Sequence, residues 1–252
     1  MRIVVIGGTG RIGSKVVHQL NEHGHDAVAA APSTGVDTVT GEGLDAVLVG
    51  AQTVVDVTNS PSFEEAAAQE FFNASTANLL AAEASAGVLH HVALSVVGTE
   101  QLARESGYFK AKLAQETLIA HGSVPYTIVR ATQFFEFLGT IADSATVAGQ
   151  VRLPGVLIQP MATTDVAEAV AIAAVNEPVN GITEVAGPEQ FRLPDLIRTA
   201  LTARGDSREV VTDPQARYWG VAIDERTLVP GDGASLFDIR FEDWILEAAA
   251  TS

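Results

Sequence analysis

The chain contains no cysteine in 252 residues. That absence removes disulfides, thiolate nucleophiles and cysteine-ligated metals together. Positive charge is also scarce: 15 Lys and Arg stand against 31 Asp and Glu, a net charge of −16. Such a surface repels polyphosphate backbones and anionic bilayers, so neither nucleic acid nor membrane is an expected partner. Histidines number six, none paired at metal-ligand spacing, and the acidic residues are scattered, so no metal is expected. No run of about 18 apolar residues is available to span a bilayer. The chain opens directly on a strand pattern, without a basic-flanked cleavable segment, and a cytoplasmic location is the expectation. Apolar side chains are plentiful, 47% against 18% charged, as in a globular fold with a substantial core.

The first fourteen residues, MRIVVIGGTGRIGS, carry an apolar run, Ile3–Ile6, into three glycines spaced G-x-x-G-x-x-G, and a helical pattern follows. Glycines at such spacing also mark ordinary turns. Placed between a strand and a helix N-terminus, they make a cradle for a dinucleotide pyrophosphate. Gly7 then permits the tight turn, Gly10 lets the backbone approach the phosphates, and Gly13 lets the helix lie close to the strand. The candidate cradle is Gly7, Thr9, Gly10, Arg11, Ile12 and Gly13.

Strand-like and helix-like segments alternate onward, which argues for βαβ units and a parallel sheet. Strands are expected at 2–6, 27–31, 53–57, 92–95 and 126–130, and helices at 10–22, 43–49, 63–86 and 108–120. Further strands are expected at 151–158 and 181–186, and a helix at 165–174 capped by Thr163 or Thr164. The tail carries helix signals at 193–204 and 216–246, broken by Pro214, Pro230 and Gly233. The expected fold is α/β: a Rossmann-type doubly wound parallel sheet with a small C-terminal substrate-binding lobe. It forms one domain, 1–252, with its core at about 1–135 and the lobe mainly at 136–252.

Enzymes preferring NAD usually carry an acid at the end of the second strand, accepting the ribose 2′-hydroxyl. Here that end reads AAAPST, Ala29–Thr34, and Asp26 stands at the opposite end of the strand. Arg11, with the Ser33 and Thr34 hydroxyls, is a candidate partner for a 2′-phosphate, so NADP(H) is favoured over NAD(H). The alternative for Arg11 is a solvated residue at a helix start. Asp37 reads as holding a turn. Thr58, Asn59 and Ser60 follow a buried strand and suit contact with the cofactor riboses, or equally capping of the next helix.

Ser95 ends a strand in HHVALSVVG, Tyr108 opens a helix in SGYFKAKLAQE, and Lys112 at i+4 shares the tyrosine's helix face. A free phenol, with a pKa of about 10, is a poor proton donor at neutral pH. A nearby ammonium favours the phenolate and draws that value toward working pH, while a serine hydroxyl can steady a substrate oxygen. The alternative for Lys112 is a solvated face position. His90 and His91 read as structural.

The segments IVVIGGTGRIGS, ASTANLLAAEASAGV, HHVALSVVG, YFKAK and PYTIVRATQFFEF together resemble short-chain dehydrogenase/reductases, in the atypical NmrA-like branch. The likeness covers roughly the first 140 residues and is fainter in QPMATTDVAEAV and GITEVAGPE. The resemblance implies Ser95, Tyr108 and Lys112 as the catalytic set, with Lys112 also on the nicotinamide ribose. It places Ala131 and Thr132 against the nicotinamide, and the glycine spacing resembles NADP-preferring members. Many NmrA-like proteins lack the tyrosine and act as cofactor-sensing regulators; this chain retains it.

Gln133, Phe134 and Phe135 follow, with Phe137 close behind. They suit the orienting amide and apolar wall of a pocket for a flat substrate, the alternative for the rings being ordinary core packing. Tyr218, Trp219 and Trp244 suit either closing that pocket or anchoring the lobe. The expected activity is NADPH-dependent reduction of a carbonyl or quinone in a small, neutral, aromatic or polyketide-type molecule, with Tyr108 giving the proton. The rival is a regulator that senses NAD(P) without turnover. A sugar-nucleotide epimerase is disfavoured by the short C-terminal region.

Overall fold

The computed structural model describes residues 1–250. In chain order its elements are β1 (Arg2–Ile6), α1 (Gly13–Glu22), β2 (Asp26–Ala30), α2 (Leu44–Val47), β3 (Thr53–Asp56), α3 (Glu65–Ala86), β4 (His90–Val96), α4 (Thr99–Leu102), α5 (Gly107–His121) and β5 (Tyr126–Ala131). They continue with α6 (Leu138–Ser144), β6 (Thr146–Val147), β7 (Gln150–Leu153), β8 (Leu157–Ile158), α7 (Thr163–Val175), β9 (Gly181–Ala186), β10 (Phe191–Arg192), α8 (Leu193–Ala203), β11 (Glu209–Thr212), β12 (Ser235–Leu236) and α9 (Phe241–Ala250).

Seven strands make one sheet in the order β12-β9-β5-β4-β3-β1-β2, the Rossmann-type α/β architecture that the sequence predicts. β1 pairs in parallel with β2 and β3, and β3 with β4. The order reverses between β1 and β3, since the chain runs outward to β2 before crossing back. In open sheets such a reversal leaves a crevice at the carboxyl ends of the strands, here beside the loops that begin at Gly7 and Val57.

The chain clusters into two compact units. The first comprises Met1–Ser95, Gly107–Arg130 and Val166–Thr183; the second comprises Val96–Ser106, Ala131–Asp165 and the chain from Glu184 onward. In the first unit β3 and all but the first residue of β1 are buried, which is why β1 reads as an unbroken apolar run, Ile3–Ile6, rather than an alternating strand. Val4, Ile6, Leu44, Leu48, Val54, Leu79 and Val88 form one core cluster there. Helix α3 closes at Gly87, whose φ of +72° supplies the left-handed stop.

In the second unit α8 buries Leu193, Leu196, Ile197, Ala200 and Leu201, a single stripe at helical spacing. Small sheets accompany it: β8 pairs antiparallel with β10, and β7 pairs with β6 and β11.

Several boundaries differ from expectation for identifiable reasons. Helix α1 begins at Gly13 rather than Gly10, because Gly10 N–H turns back to donate to Gly7 O at 2.9 Å. The strand expected over 151–158 is two, β7 and β8, separated around Pro154, which has no N–H to give a ladder. Helix α7 starts at Thr163 itself, and its cap comes from elsewhere: the Glu136 carboxylate accepts Thr163 Oγ1 at 2.6 Å and Thr163 N–H at 3.2 Å. Of the stretch 216–246, only the part from Phe241 is helical. Before it, Tyr218 and Val221 exchange backbone hydrogen bonds at 2.9 Å across a tight turn, with Trp219 at φ +50°.

Candidate active site

The glycine loop is built by close packing. Gly7 has φ +78°, and a Cβ there would stand 3.2 Å from the carbonyl carbon of Val57, so the loops after β1 and β3 meet backbone to backbone. A Cβ on Gly13 would lie 2.2 Å from Gly7 O, a separation no side chain can take, so α1 rests directly on the turn. Gly8, which sequence reasoning passed over, is as constrained: its Cβ would lie 2.7 Å from Ala29 Cα. Thr9, Gly10 and Arg11 form the exposed tip. Helix α1 enters from Ile12 with no side-chain cap and no acid in its first turn. A backbone cradle at an uncapped helix N-terminus fits a pyrophosphate, which would take the place of a cap.

The loop after β2 is a short 3-10 turn over Pro32–Thr34. Ser33 Oγ reaches Thr9 Oγ1 at 3.4 Å, bringing this loop to the glycine tip. The Thr34 hydroxyl serves its own turn, accepting Ala31 N–H and donating to Ala31 O, both at 2.9 Å. Asp37 Oδ1 accepts Val39 N–H at 2.8 Å and so holds a turn.

After β3 the chain ties itself down residue by residue. Asp56 Oδ1 accepts the Thr58 hydroxyl at 2.6 Å and Thr58 N–H at 2.9 Å. Ser60 Oγ donates to Ser62 O at 2.7 Å, and Asn59 is left exposed between them.

The three reactive candidates share a neighbourhood, but no hydrogen bond joins them to one another among the described residues. Tyr108 and Lys112 do lie on one face of α5: the tyrosine ring meets Phe72 edge-on at 6.1 Å, and Lys112 Nζ stands 4.8 Å above the same ring. The Tyr108 hydroxyl donates to Asn59 Oδ1 at 2.7 Å. Burial pushes this phenol up to about 12, and the Asn59 hydrogen bond pulls back only part of that. Lys112 contributes none of the expected downward pull, and its ammonium turns to other partners. It donates to Gln115 Oε1 at 2.5 Å and to Leu94 O at 2.9 Å. Burial lowers Lys112 to about 8, against the raising charges of Asp56 and Glu116.

Ser95 turns to a different partner again. Its hydroxyl donates to Glu116 Oε1 at 2.5 Å, and Arg130 grips the same carboxylate through Nε at 3.0 Å and a terminal nitrogen at 2.5 Å. Four buried residues that sequence reasoning missed therefore organise this region: Asp56, Gln115, Glu116 and Arg130. The available signal was an acid directly after the valine pair in TVVD, and Gln115 and Glu116 at i+3 and i+4 from Lys112.

The remaining candidates belong to the second unit. Ala131 and Thr132 are almost fully buried, and Thr132 N–H donates to Val185 O at 3.1 Å. The Thr132 hydroxyl and both polar atoms of the Gln133 amide are buried without a hydrogen-bond partner. Such groups are costly to leave unpaired and are a common mark of ligand contact. Phe135 packs against Phe241 at 5.2 Å and Trp244 at 5.5 Å, the packing alternative for that ring, while Phe134 meets Phe137 at 5.7 Å. No group of residues able to hold a metal is found among the described residues. No helix among them is long and apolar enough to cross a membrane.

Comparison with known proteins supplies an independent view. A model of the NAD dependent epimerase/dehydratase family matches residues 3–135. The chain is 30% identical over 190 residues to the (4-alkanoyl-5-oxo-2,5-dihydrofuran-3-yl)methyl phosphate reductase of Streptomyces griseus. That match takes in 69% of this chain and 62% of the relative, less than two thirds of its length. Among solved structures, UDP-glucose 4-epimerase of Thermus thermophilus in complex with NAD superposes with a TM-score of 0.68 at 18% identity, over 90% of this chain and 92% of that one. The dTDP-4-dehydrorhamnose reductase of Clostridium acetobutylicum gives 0.70 at 16% identity, over 99% and 93%. The corresponding reductase of Bacillus anthracis, in complex with NADP, gives 0.68 at 14%, over 95% and 90%. At such identities the likeness is one of fold.

Proposed function

Because the chain belongs to the NAD dependent epimerase/dehydratase family, we propose that it is an NADPH-dependent reductase of a small conjugated carbonyl compound, with Tyr108 as proton donor. The observation that carries this reading is the placement of the Tyr108 hydroxyl. It is 2.7 Å from Asn59, on the loop that meets the glycine cradle at the reversal of strand order. The Streptomyces griseus relative, named a reductase of an oxo-dihydrofuran, supports reduction and a carbonyl-bearing substrate. The NmrA-like branch, and an aromatic, quinone or polyketide-type substrate, are the finer form of the same proposal.

The bound dinucleotide would supply hydride. The chain's own residues would do the rest. Backbone N–H groups of Gly7–Gly13 would receive the pyrophosphate, and Arg11 with Ser33 would receive a 2′-phosphate, which favours NADP(H). Lys112 and Thr58 would hold ribose hydroxyls. Tyr108, raised to about 12, keeps its proton throughout the neutral range. It would release that proton to the substrate oxygen on leaving Asn59.

One observation favours a second reading. Ser95 is committed to Glu116, and Lys112 to Gln115 and Leu94 O, so the phenol has no activating partner in this arrangement. A protein that binds NADPH as a signal needs none. NADPH oxidation over a panel of quinones, enones and ketones separates the two. The reductase reading expects turnover that Tyr108→Phe lowers at least about 100-fold with little change in NADPH affinity. Tight binding without turnover on any panel member establishes the sensor. Absence of NADPH binding overturns both.

A further inference from the structure

Lys112 is buried, its Nζ 4.8 Å over the Phe72 ring, and a buried ammonium without polar partners would shed its proton rather than stay charged. Its surroundings contain one continuous polar connection. Lys112 Nζ donates to Gln115 Oε1 at 2.5 Å, and Gln115 Nε2 donates to Asp56 Oδ2 at 2.9 Å. The other oxygen of Asp56 accepts both the backbone N–H and the hydroxyl of Thr58. Lys112, Gln115 and Asp56 are each at most 3% exposed, so water does not compete for these bonds. The amide is oriented by its neighbours: its oxygen must face the ammonium and its nitrogen the carboxylate.

We propose that Gln115 and Asp56 are positioning residues that join Lys112 to the loop beginning at Thr58, so that the ammonium and this loop meet the dinucleotide ribose as one rigid unit. The inference rests on the reductase reading for the identity of the ligand and extends it to two residues which that reading does not use. Charge completes the argument. Asp56 on β3 and Glu116 on α5 are the acids that raise Lys112 against the effect of burial. Glu116 is already taken by Arg130 from β5 and Ser95 from β4, while α3 presents the Phe72 ring to Lys112. The Glu83–His91 pair also faces Asp56, whose charge raises both groups. Asp56 is thus the carboxylate whose field reaches Lys112 through a single oriented amide.

The test is NMR titration of the Lys112 ε-amine and the Gln115 side-chain amide in the full chain, with NADPH affinity measured alongside. In the wild type, the Gln115 amide resonances should shift with the same midpoint as Lys112. Gln115→Met and Asp56→Asn should each lower that midpoint by about one pH unit, and the double variant should fall short of the summed shifts. NADPH affinity should drop about tenfold in each. A residue that only supports the fold would lower the melting temperature and leave the Lys112 midpoint in place. That outcome overturns the proposal, as does a Gln115 amide indifferent to the lysine in the wild type, a measurement that needs no variant to fold. A wild type that binds no NADPH overturns the reductase reading itself. Wild-type binding that both folded variants retain unchanged overturns only the joining of Lys112 to the ribose loop.

Discussion

A tyrosine and a serine, each a hydroxyl that could serve a substrate oxygen, end on partners of different kinds, and the difference decides what each can do. Tyr108 meets the exposed amide of Asn59, a neutral acceptor that a ligand can replace. Ser95 meets the buried carboxylate of Glu116, already paired with Arg130, and a hydroxyl donating to such a charge gives it up at high cost. Ser95→Ala should therefore lower turnover less than about tenfold while costing about 1–3 kcal/mol in stability, measured by urea denaturation beside the much larger kinetic loss in Tyr108→Phe. Lys112 adds a pH dependence of definite sign. Its ammonium, lowered to about 8, is lost as pH rises through that value. NADPH affinity should accordingly weaken above about pH 8 and stay flat below it. Lys112→Met should abolish the slope, and an unchanged slope in that variant would remove the lysine from the cofactor site.

At the scale of elements, legibility followed burial. β1 was readable because a strand covered on both faces is written as a continuous apolar run, and α8 because its buried stripe repeats at helical spacing. The glycine turn was readable because Gly13 sits where no side chain fits and Gly7 has φ +78°, a conformation that residues with a Cβ rarely adopt. Gly13→Ala tests this directly. Its methyl would collide with Gly7 O, so the variant should lose about 1–3 kcal/mol and most NADPH binding, seen together in thermal melts and titration. The short β11 and β12 left no trace, since strands of four and two residues carry too little periodicity to register. The polar connections among Asp56, Gln115, Glu116 and Arg130 were illegible for another reason. Spacing shows which face of α5 a residue shares, but not which distant strand supplies its partner. β4 shows the same limit. His90 and His91 read as structural, and each is buried against a specific partner, Thr127 at 2.9 Å and Glu83 at 2.8 Å. Burial, helped by the neighbouring His91 charge, lowers His90 from 6.5 to about 4. An unfolded chain takes up that proton below pH 6.5 and the folded one refuses it until about pH 4, so stability should fall as pH drops through this window. His90→Gln should flatten this part of the stability profile in denaturant titrations, and a slope identical to the wild type would assign the acid lability elsewhere.

For the whole molecule the governing quantity is the net charge of −16, which sets a problem for a protein proposed to take up an anionic dinucleotide. Two fields compete. The long-range field of 31 acidic against 15 basic residues repels NADPH at distances where exposed charges still act without screening. The local field of an uncapped α1 N-terminus, with Arg11 in the turn before it, attracts the phosphates only within the last few ångströms. Salt separates them, because screening at about 0.1 M already shortens the reach of exposed charges to about 10 Å and leaves contacts inside the cradle much less affected. The association rate for NADPH should therefore rise as ionic strength increases from about 0.02 to about 0.2 M, while the dissociation rate changes little. Stopped-flow fluorescence of NADPH gives both rates. An association rate that falls with salt would mean that the positive field of the glycine loop extends into solvent and outweighs the acidic surface. Arg11→Ala in the same experiment should slow association and speed dissociation for NADPH more than for NADH. Equal losses for the two cofactors would withdraw the 2′-phosphate from Arg11 and the NADP preference with it.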